Sequence, residues 1–281
     1  MQSYKNTAQV ILAVDAGGTF LKSALYPAEG SPVPLAEVPT CSNGSFEEIR
    51  NAFQTMYKNA AEQAENEISG IAVSTPGPFD YRNGIFLMDH KFQAVKGKSM
   101  KEFFPEMPMT FLHDANAFIG GVVQNEKGRF GGITLGTGLG AAVMIDGAFL
   151  NNDKETPLHS LWNKKFRDGI GEDYLSTAAL MKACPDAKSV KEIAERTDTD
   201  AIWLDFGNAL AEILTEWQTE LQLEKIYIGG GISKAKDRFM TDALAKLPLE
   251  FVTAGNLNLS GAIKDFQKKI NKIVDFCHFR V

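Results

Sequence analysis

The apolar positions of this chain fall into short continuous runs that stop at glycine-rich turns. Residues 10–14 and 20–26 are two such runs around one glycine turn, which predicts the two strands of a hairpin. Residues 131–150 repeat the order of strand, glycine turn and strand. Residues 226–240 predict a strand, three glycines and then a helix. Two halves that each open with a strand, a glycine turn and a second strand indicate an internal duplication.

Helical periodicity fills the segments between these strands. The clearest helix places Ile49 and Phe53 on one face, and a capping box of Ser45 and Glu48 opens it. We expect this helix to end at Gly70. Further helices are predicted over residues 172–183, 188–196, 201–222 and from about residue 260. Strands that alternate with helices are typical of an α/β protein, for which we expect two lobes with ligands held between them.

Composition and charge exclude several classes of function. Of the 281 residues, 44% are hydrophobic and 23% are charged, as in an ordinary globular protein. The net charge is -6 and no stretch clusters Lys and Arg, so we expect no nucleic-acid partner. No apolar run approaches the ~20 residues that span a bilayer, and the first residues lack a signal-peptide pattern, so we expect no membrane partner and a cytoplasmic location. Cys41, Cys184 and Cys277 are far apart, which favours free thiols.

Three glycine-bearing turns follow apolar runs, and each is a candidate phosphate site. They are Gly17-Gly18-Thr19, Gly136-Thr137-Gly138-Leu139-Gly140 and Gly229-Gly230-Gly231. Glycine permits positive φ and close approach of a ligand to backbone N–H groups, so such turns can cradle phosphate oxygens. A plain hairpin turn is the alternative for each. The second turn matches the dinucleotide fingerprint only formally, because a strand follows it, and no turn carries the Gly-Lys-Ser or Gly-Lys-Thr of a Walker A loop.

Asp15 ends the first apolar run beside the first glycine turn. A carboxylate at this place is costly to desolvate unless a cation or hydrogen-bond donors meet it. A hydrated Mg²⁺ suits this role, because the ion keeps several waters and binds through one or two carboxylates together with substrate phosphates. The alternative is that Asp15 only caps the turn with its side chain. We predict that Asp15 binds Mg²⁺ through water.

Five motifs, in order, resemble those of the ROK (repressor, ORF, kinase) sugar kinases. They are Asp15-Ala-Gly-Gly-Thr19, Thr75-Pro-Gly-Pro78, His113-Asp-Ala-Asn116, Leu135-Gly-Thr-Gly-Leu-Gly140 and Ile228-Gly-Gly-Gly-Ile-Ser233. The resemblance covers nearly the whole chain. It implies the duplicated actin-like ATPase fold, which is ribonuclease H-like and binds ATP and Mg²⁺ in a central cleft. It also implies that the first turn and the second turn are phosphate loops and that the third contacts adenosine.

Asp114 corresponds to the catalytic aspartate of these kinases. It stands where the predicted strand MTFL ends and a helix begins, at an edge where binding residues collect. The resemblance implies that Asp114 accepts the proton of a sugar hydroxyl while that oxygen attacks the γ-phosphoryl group, and that it positions the oxygen. The alternative for this aspartate is a plain helix N-cap.

The resemblance also implies a set of sugar contacts, namely His113, Asn116, Glu155, His159 and Glu172. Glu172 resembles a glutamate that opens a helix and accepts hydrogen bonds from adjacent hydroxyl groups. The alternative is that the helix dipole alone favours an acidic residue there. His159 stands for the histidine of a Glu-x-Gly-His motif, and an ordinary surface histidine is its alternative.

Three departures from the family pattern affect zinc and the sugar. FRDGIGEDY has no cysteine where most of the family carries a cysteine-rich zinc motif, so no zinc is expected. Glu155 lies four residues before His159, and the segment between them lacks the usual glycine. His113 replaces an asparagine, and the loop of residues 89–98 lacks the usual Asn and Trp. The sugar is therefore left open between a glucose-like hexose and an N-acetylated amino sugar.

Together these features predict an ATP-dependent hexose kinase, with alternatives. Polyphosphate glucokinases, a zinc-lacking branch, are similar around residues 133–150 and 226–240. A long polyanion, however, would need a basic channel, and this acidic chain offers no obvious one. An inactive sugar-binding protein is a second alternative, and a repressor is disfavoured because only nine residues precede the first strand. The expected lobes are residues 1–115, joined by the helix at 260–281, and residues 116–259. The resemblance also implies a homodimer.

Overall fold

The computed structural model describes residues 9–123, 126–253 and 255–278, and its account of side chains extends to residue 270. The chain divides into two compact units. The first unit combines the chain up to Gly121 with Asn152–Thr156 and the chain from Asn256 onward, and the second comprises Val122–Asn151 and Pro157–Gly255. The two units divide after Gly121, near the end of a helix that spans Asp114–Val122, and before Asn256, next to a helix that begins at Leu257; the divisions expected from the sequence lay after residues 115 and 259.

A mixed sheet of six strands forms the centre of the first unit. The strands of this unit are β1 (Val10–Ala16), β2 (Phe20–Pro27), β3 (Val33–Pro34), β4 (Val38–Pro39), β5 (Ile68–Thr75), β6 (Phe79–Asp80), β7 (Ile85–Phe86) and β8 (Met109–His113). The sheet order is β3-β2-β1-β5-β8, with β4 beside β2, while β6 and β7 pair separately. β1 is antiparallel to β2, whereas β5 runs parallel to both β1 and β8. The carboxyl ends of β1, β5 and β8 therefore meet at one edge of the sheet.

The sheet of the second unit repeats this arrangement. Its strands are β9 (Arg129–Leu135), β10 (Leu139–Ile145), β11 (Ala148–Phe149), β12 (Lys165–Phe166), β13 (Gly169–Ile170), β14 (Lys225–Gly229) and β15 (Leu249–Phe251). The sheet order is β11-β10-β9-β14-β15, and β12 pairs with β13. β9 is antiparallel to β10, and β14 runs parallel to β9 and β15. Order and strand directions match those of β3-β2-β1-β5-β8, which confirms the predicted duplication.

Helices cover both sheets. They are α1 (Phe46–Gln63), α2 (Asp114–Val122), α3 (Thr177–Ala183), α4 (Val190–Glu195), α5 (Asp200–Leu221), α6 (Lys236–Phe239) and α7 (Leu257–His278). Side chains alternate across a strand, so the two faces of β1 pack against different helices. Leu12 and Val14 belong to the apolar cluster that contains α1, and Ala13 packs with α7. In the second unit Trp203 and Trp217 of α5 are buried in the core. Among the described residues, no helix is long and apolar enough to cross a membrane.

The start of α1 agrees with the sequence prediction, but its end does not. The capping box of Ser45 and Glu48 is present, with Ser45 N donating to Glu48 Oε2 at 2.8 Å. The helix ends at Gln63, and Gly70 instead lies within β5. A β-carbon at Gly70 would lie 2.3 Å from Cζ of Phe266 in α7. The glycine therefore serves helix–sheet packing inside a strand and does not stop a helix.

Candidate active site

Asp15 lies at the end of β1, where its carboxylate is held by two distant segments. Oδ1 accepts hydrogen bonds from Ser74 Oγ at 3.2 Å and from Asn258 Nδ2 at 3.1 Å. Gly17 N donates to the main-chain oxygen of Asp15, so its side chain is not the cap of the turn. Oδ2 accepts no hydrogen bond from the described part of the chain. Asp15 therefore presents one oxygen to a ligand beside the first glycine turn.

The electrostatics of Asp15 fit a cation ligand. Burial is the largest influence and raises the pKa of Asp15; the hydrogen bond from Asn258 opposes it, and the negative charge of Asp114 adds to it. Smaller effects of Ser74 and Lys22 lower the pKa without reversing the net upward shift. A half-buried carboxyl group near a second carboxylate is stabilised in its ionised form by an added cation. Asp15 is thus suited to hold a hydrated Mg²⁺.

Asp114 is the first residue of α2 and directly follows β8, as predicted. Its Oδ1 accepts the N–H of Ala115 at 2.7 Å and lies 3.0 Å from Nδ1 of His113. Nδ1 of His113 also lies 3.2 Å from the same Ala115 nitrogen, so the imidazole, the amide and the carboxylate form one cluster. Within the described residues, Oδ2 of Asp114 accepts no hydrogen bond. This second oxygen is available to a substrate hydroxyl.

The surroundings of Asp114 favour its ionised form. Burial acts most strongly and favours the neutral acid, but the charge and hydrogen bond of His113, the Ala115 N–H and the charge of Lys91 together outweigh it. The net effect lowers the pKa of Asp114 below its ordinary value. An ionised carboxylate at this position can accept a proton or a hydrogen bond.

The Thr75-Pro-Gly-Pro motif supports the ring of His113. Tyr81, which is fully buried, donates its hydroxyl hydrogen to the main-chain oxygen of Thr75 at 3.2 Å. Its ring centroid lies 5.6 Å from that of His113. A β-carbon at Gly77 would lie 3.3 Å from the Tyr81 hydroxyl and 3.7 Å from the His113 ring, so this residue must be small. Burial, followed by the charge of Asp114, raises the pKa of Tyr81.

The two glycine turns of the second unit lie side by side. Gly230 has φ +92°, and a β-carbon there would lie 2.3 Å from the main-chain oxygen of Leu135. The third turn therefore packs on the end of β9, immediately before Gly136. A β-carbon at Gly136 or Gly231 would meet nothing within 4 Å, so both glycines leave space for a ligand. In the first unit, Gly17 and Gly18 are half-buried and Thr19 is exposed.

Glu172 lies against the second glycine turn. It belongs to a short 3-10 turn at Gly171–Asp173, where a longer helix was predicted. Its Oε2 accepts the N–H of Leu139 at 2.9 Å, and a β-carbon at Gly138 would lie 2.5 Å from the same oxygen. The position of the Glu172 carboxylate is therefore set by its contact with the second glycine turn as well as by the 3-10 turn that carries it.

The other predicted sugar ligands have different surroundings. Glu155 Oε2 lies 2.9 Å from Lys269 Nζ, and His159 Nδ1 lies 3.1 Å from Glu220 Oε1. Asn116 is fully buried in α2. The structure thus brings His113 into contact with Asp114, whereas Glu155 and His159 bind other charged side chains. Their contacts with a sugar stay predictions.

Sequence reasoning missed Ser74, Tyr81 and Asn258. Ser74 carries a detectable signal, because parallel pairing of β1 with β5 places it opposite Asp15. No local pattern points to Asn258, which is 243 residues from Asp15. Among the described residues, no group of three or more His, Cys, Asp or Glu side chains is arranged to hold a metal ion.

Two sheets of matching topology, with Asp15 and Asp114 at the strand ends of the first, define the class of protein. The chain has the actin-like ATPase fold. Residues 11–154 match the ROK family model, and the chain belongs to the ROK family.

The curated relatives that match this chain include sugar kinases. The chain is 24% identical over 251 residues to N-acetylmannosamine kinase of Escherichia coli (strain SE11), which covers 80% of this chain and 84% of the relative. A ROK family glucokinase from Streptomyces griseus, solved with glucose and AMPPNP, has a TM-score of 0.73 at 18% identity and covers 90% and 97% of the two chains. An inorganic polyphosphate/ATP-glucomannokinase from Arthrobacter sp. strain KM has a TM-score of 0.70 at 19% identity and covers 92% and 99%.

Proposed function

We propose that this chain transfers the γ-phosphoryl group of ATP to a hydroxyl group of a hexose. The observation that carries the proposal is the pair of carboxylates in the first unit. Asp114 is kept ionised with one free oxygen. Asp15 lies beside a glycine turn, and its pKa is raised by burial first and by the charge of Asp114 second. Phosphoryl transfer needs both parts, namely a residue that orients the acceptor hydroxyl and a metal ligand near the donor phosphates.

Asp114 is the proposed catalytic residue. Its Oδ2 would accept the hydrogen of the acceptor hydroxyl, while His113 and the Ala115 N–H fix Oδ1. The hydroxyl oxygen would then be aimed at the terminal phosphorus, and its proton would pass to the carboxylate as the new bond forms. Because the transition state of phosphoryl transfer is loose, orientation contributes at least as much as proton removal.

The donor contacts follow from the three glycine turns. Gly18 and Thr19 are proposed to bind phosphate oxygens through their N–H groups, and Gly17, whose N–H is bonded to Asp15, to contact the phosphates by leaving room for them. Mg²⁺, held by Asp15 through water, would neutralise phosphate charge. In the second unit the proposed phosphate contacts are Gly136, Thr137, Gly138 and Gly140, and the proposed adenosine contacts are Gly229, Gly230 and Gly231. Polyphosphate is the alternative donor, supported by the likeness to the Arthrobacter enzyme.

The proposed acceptor is a glucose-like hexose or an N-acetylated amino sugar. The names of the relatives support this range, since they include a glucokinase and an N-acetylmannosamine kinase. The proposed sugar contacts are His113, Asn116, Glu155, His159 and Glu172. Each offers a group that can accept or donate hydrogen bonds to hydroxyls.

A matrix of donors and sugars tests the proposal. The protein is mixed with Mg²⁺, with either ATP or polyphosphate, and with each of a panel of hexoses and N-acetylated amino sugars, and the phosphorylated sugar is measured. We expect product from ATP with at least one sugar. Tight sugar binding by calorimetry with no product from either donor would instead support an inactive sugar-binding protein.

Replacement of the proposed base gives the matched test. Asp114→Asn keeps the side-chain shape but removes the negative charge, so we expect kcat to fall by about 10² to 10⁴, the range for a lost general base. Asp242→Asn, at an exposed aspartate, serves as the control and should retain full activity. An Asp114→Asn variant that is as active as the wild type would remove Asp114 from this role.

A further inference from the structure

Lys91 lies across the first glycine turn. If Gly18 carried a β-carbon, that atom would lie 2.9 Å from Lys91 Cε and 3.1 Å from Lys91 Nζ. The ammonium group therefore occupies the space beside Gly18 where a side chain would lie, in the turn that we propose as a phosphate loop. Lys91 comes from the loop of residues 89–98, which departs from the family pattern, and neither its charge nor its place in that loop predicts this contact.

The backbone beside Lys91 is firmly held, so the position of its side chain is built into the fold. Phe92 is fully buried among the aromatic residues of the first unit. Its N–H donates to the main-chain oxygen of Ser42 at 2.7 Å, and the Ser42 hydroxyl donates to the main-chain oxygen of Gly18 at 2.5 Å. Ser42 thus connects the backbone next to Lys91 with the glycine turn.

The ammonium group of Lys91 has no carboxylate partner in the described part of the chain. Among the described residues it forms no ion pair and no hydrogen bond, although it is half-buried. Its positive charge nevertheless acts on Asp114. A half-buried ammonium group that touches a phosphate-type turn and is felt by the proposed base is suited to bind an anion between the two.

We propose that the ammonium group of Lys91 binds the terminal phosphoryl group of the donor and positions it for transfer, an inference that rests on the proposed function. In that step the acceptor hydroxyl oxygen forms a bond to the terminal phosphorus. The bond between this phosphorus and its bridging oxygen breaks, and the electron pair leaves with the nucleoside diphosphate. The hydroxyl proton passes to Asp114. Lys91 offsets charge on the transferred group and takes no part in the proton transfer.

Measurements of nucleotide binding distinguish a contact between Lys91 and the terminal phosphoryl group from an effect of the Lys91 charge on Asp114 alone. Calorimetry with Mg²⁺ measures Kd for ADP and for AMPPNP, which has the terminal phosphoryl group that ADP lacks. For Lys91→Met we expect Kd for AMPPNP to rise about 10- to 100-fold, the size of a lost hydrogen bond to a charged group, with Kd for ADP changed less than about threefold. Lys91→Arg should restore part of the loss, because it keeps the charge.

Lys98→Met is the control, since Lys98 belongs to the same loop, is exposed and lies over the ring of Phe46. It should bind both nucleotides like the wild type. Equal weakening of AMPPNP and ADP in Lys91→Met, or no weakening of either, would overturn the role of Lys91 while leaving the kinase proposal intact. A wild-type protein that binds neither nucleotide would overturn both proposals. Melting temperatures of all variants check that they are folded.

Discussion

The contact between His113 and Asp114 allows a quantitative prediction for the pH dependence of activity. Replacing His113 by Asn, the residue that usually precedes the catalytic aspartate in the family, removes the imidazole whose Nδ1 lies 3.0 Å from Asp114 Oδ1. His113 is the strongest of the influences that lower the pKa of Asp114. The variant should therefore have a higher pKa at Asp114. The base would become protonated, and inactive, at a higher pH than in the wild type.

The size of the effect follows from the contact. A hydrogen bond to a charged group contributes about 1.5–3 kcal/mol, which is the most that the ionised form of Asp114 loses in the variant. The Asp114 side chain is 33% exposed, so screening by water reduces this loss to the lower end of the range. The lowered pKa of Asp114 also makes the stability of the folded protein depend on pH. Because the folded-state pKa of Asp114 is lowered, its stabilising contribution is present above the unfolded-state pKa and is lost as the pH falls through the folded-state value.

The assay is the pH profile of kcat/KM, followed from about pH 2.5 to about pH 7 by direct measurement of ADP, a range that extends below the ordinary pKa of aspartate, about 3.9. We expect the acidic limb of His113→Asn to move to higher pH. The midpoint of this limb does not depend on whether the plateau also falls through a lost sugar contact. His90→Asn, at an exposed histidine, should leave the limb in place. An acidic limb that stays fixed or moves to lower pH in His113→Asn would refute the reasoning.

Two further predictions concern the glycine turns and Asp15. Gly230→Ala should lower the free energy of unfolding by about 1–2 kcal/mol or more, because φ is +92° and the added methyl group meets Leu135, while Gly231→Ala should stay within about 0.5 kcal/mol in chemical denaturation. Equal stability of both variants would contradict this. Asn258→Ala removes a hydrogen-bond donor to Asp15. Because this hydrogen bond stabilises the ionised carboxylate most, the variant should lower the melting temperature more at pH 8 than at pH 5. A loss of melting temperature that does not depend on pH would contradict this role of Asn258.

The family motifs were readable in the sequence because each depends on neighbouring residues. Asp114 is predicted from a strand that runs directly into a helix, and both elements are present. The chemistry around it was not readable in the same way. The rotamer of His113, which brings Nδ1 to 3.0 Å from Asp114 Oδ1, and the charge of Lys91 on a separate loop both act on the carboxylate. Glu155 was placed by its spacing from His159, yet its carboxylate binds Lys269 of α7, more than one hundred residues away.

The sequence by itself determined the elements that local rules control: the strand–glycine–strand duplication, the capping box of α1 and the order of the family motifs. Only the tertiary structure decided which side chains meet. Gly70 could end a helix or join a strand, and packing of Phe266 against β5 selects the strand. Asp15 and Asn258 meet because α7 returns to the sheet that β1 begins. Periodicity and turn chemistry act over a few residues, whereas contacts between distant segments depend on sheet register and helix packing.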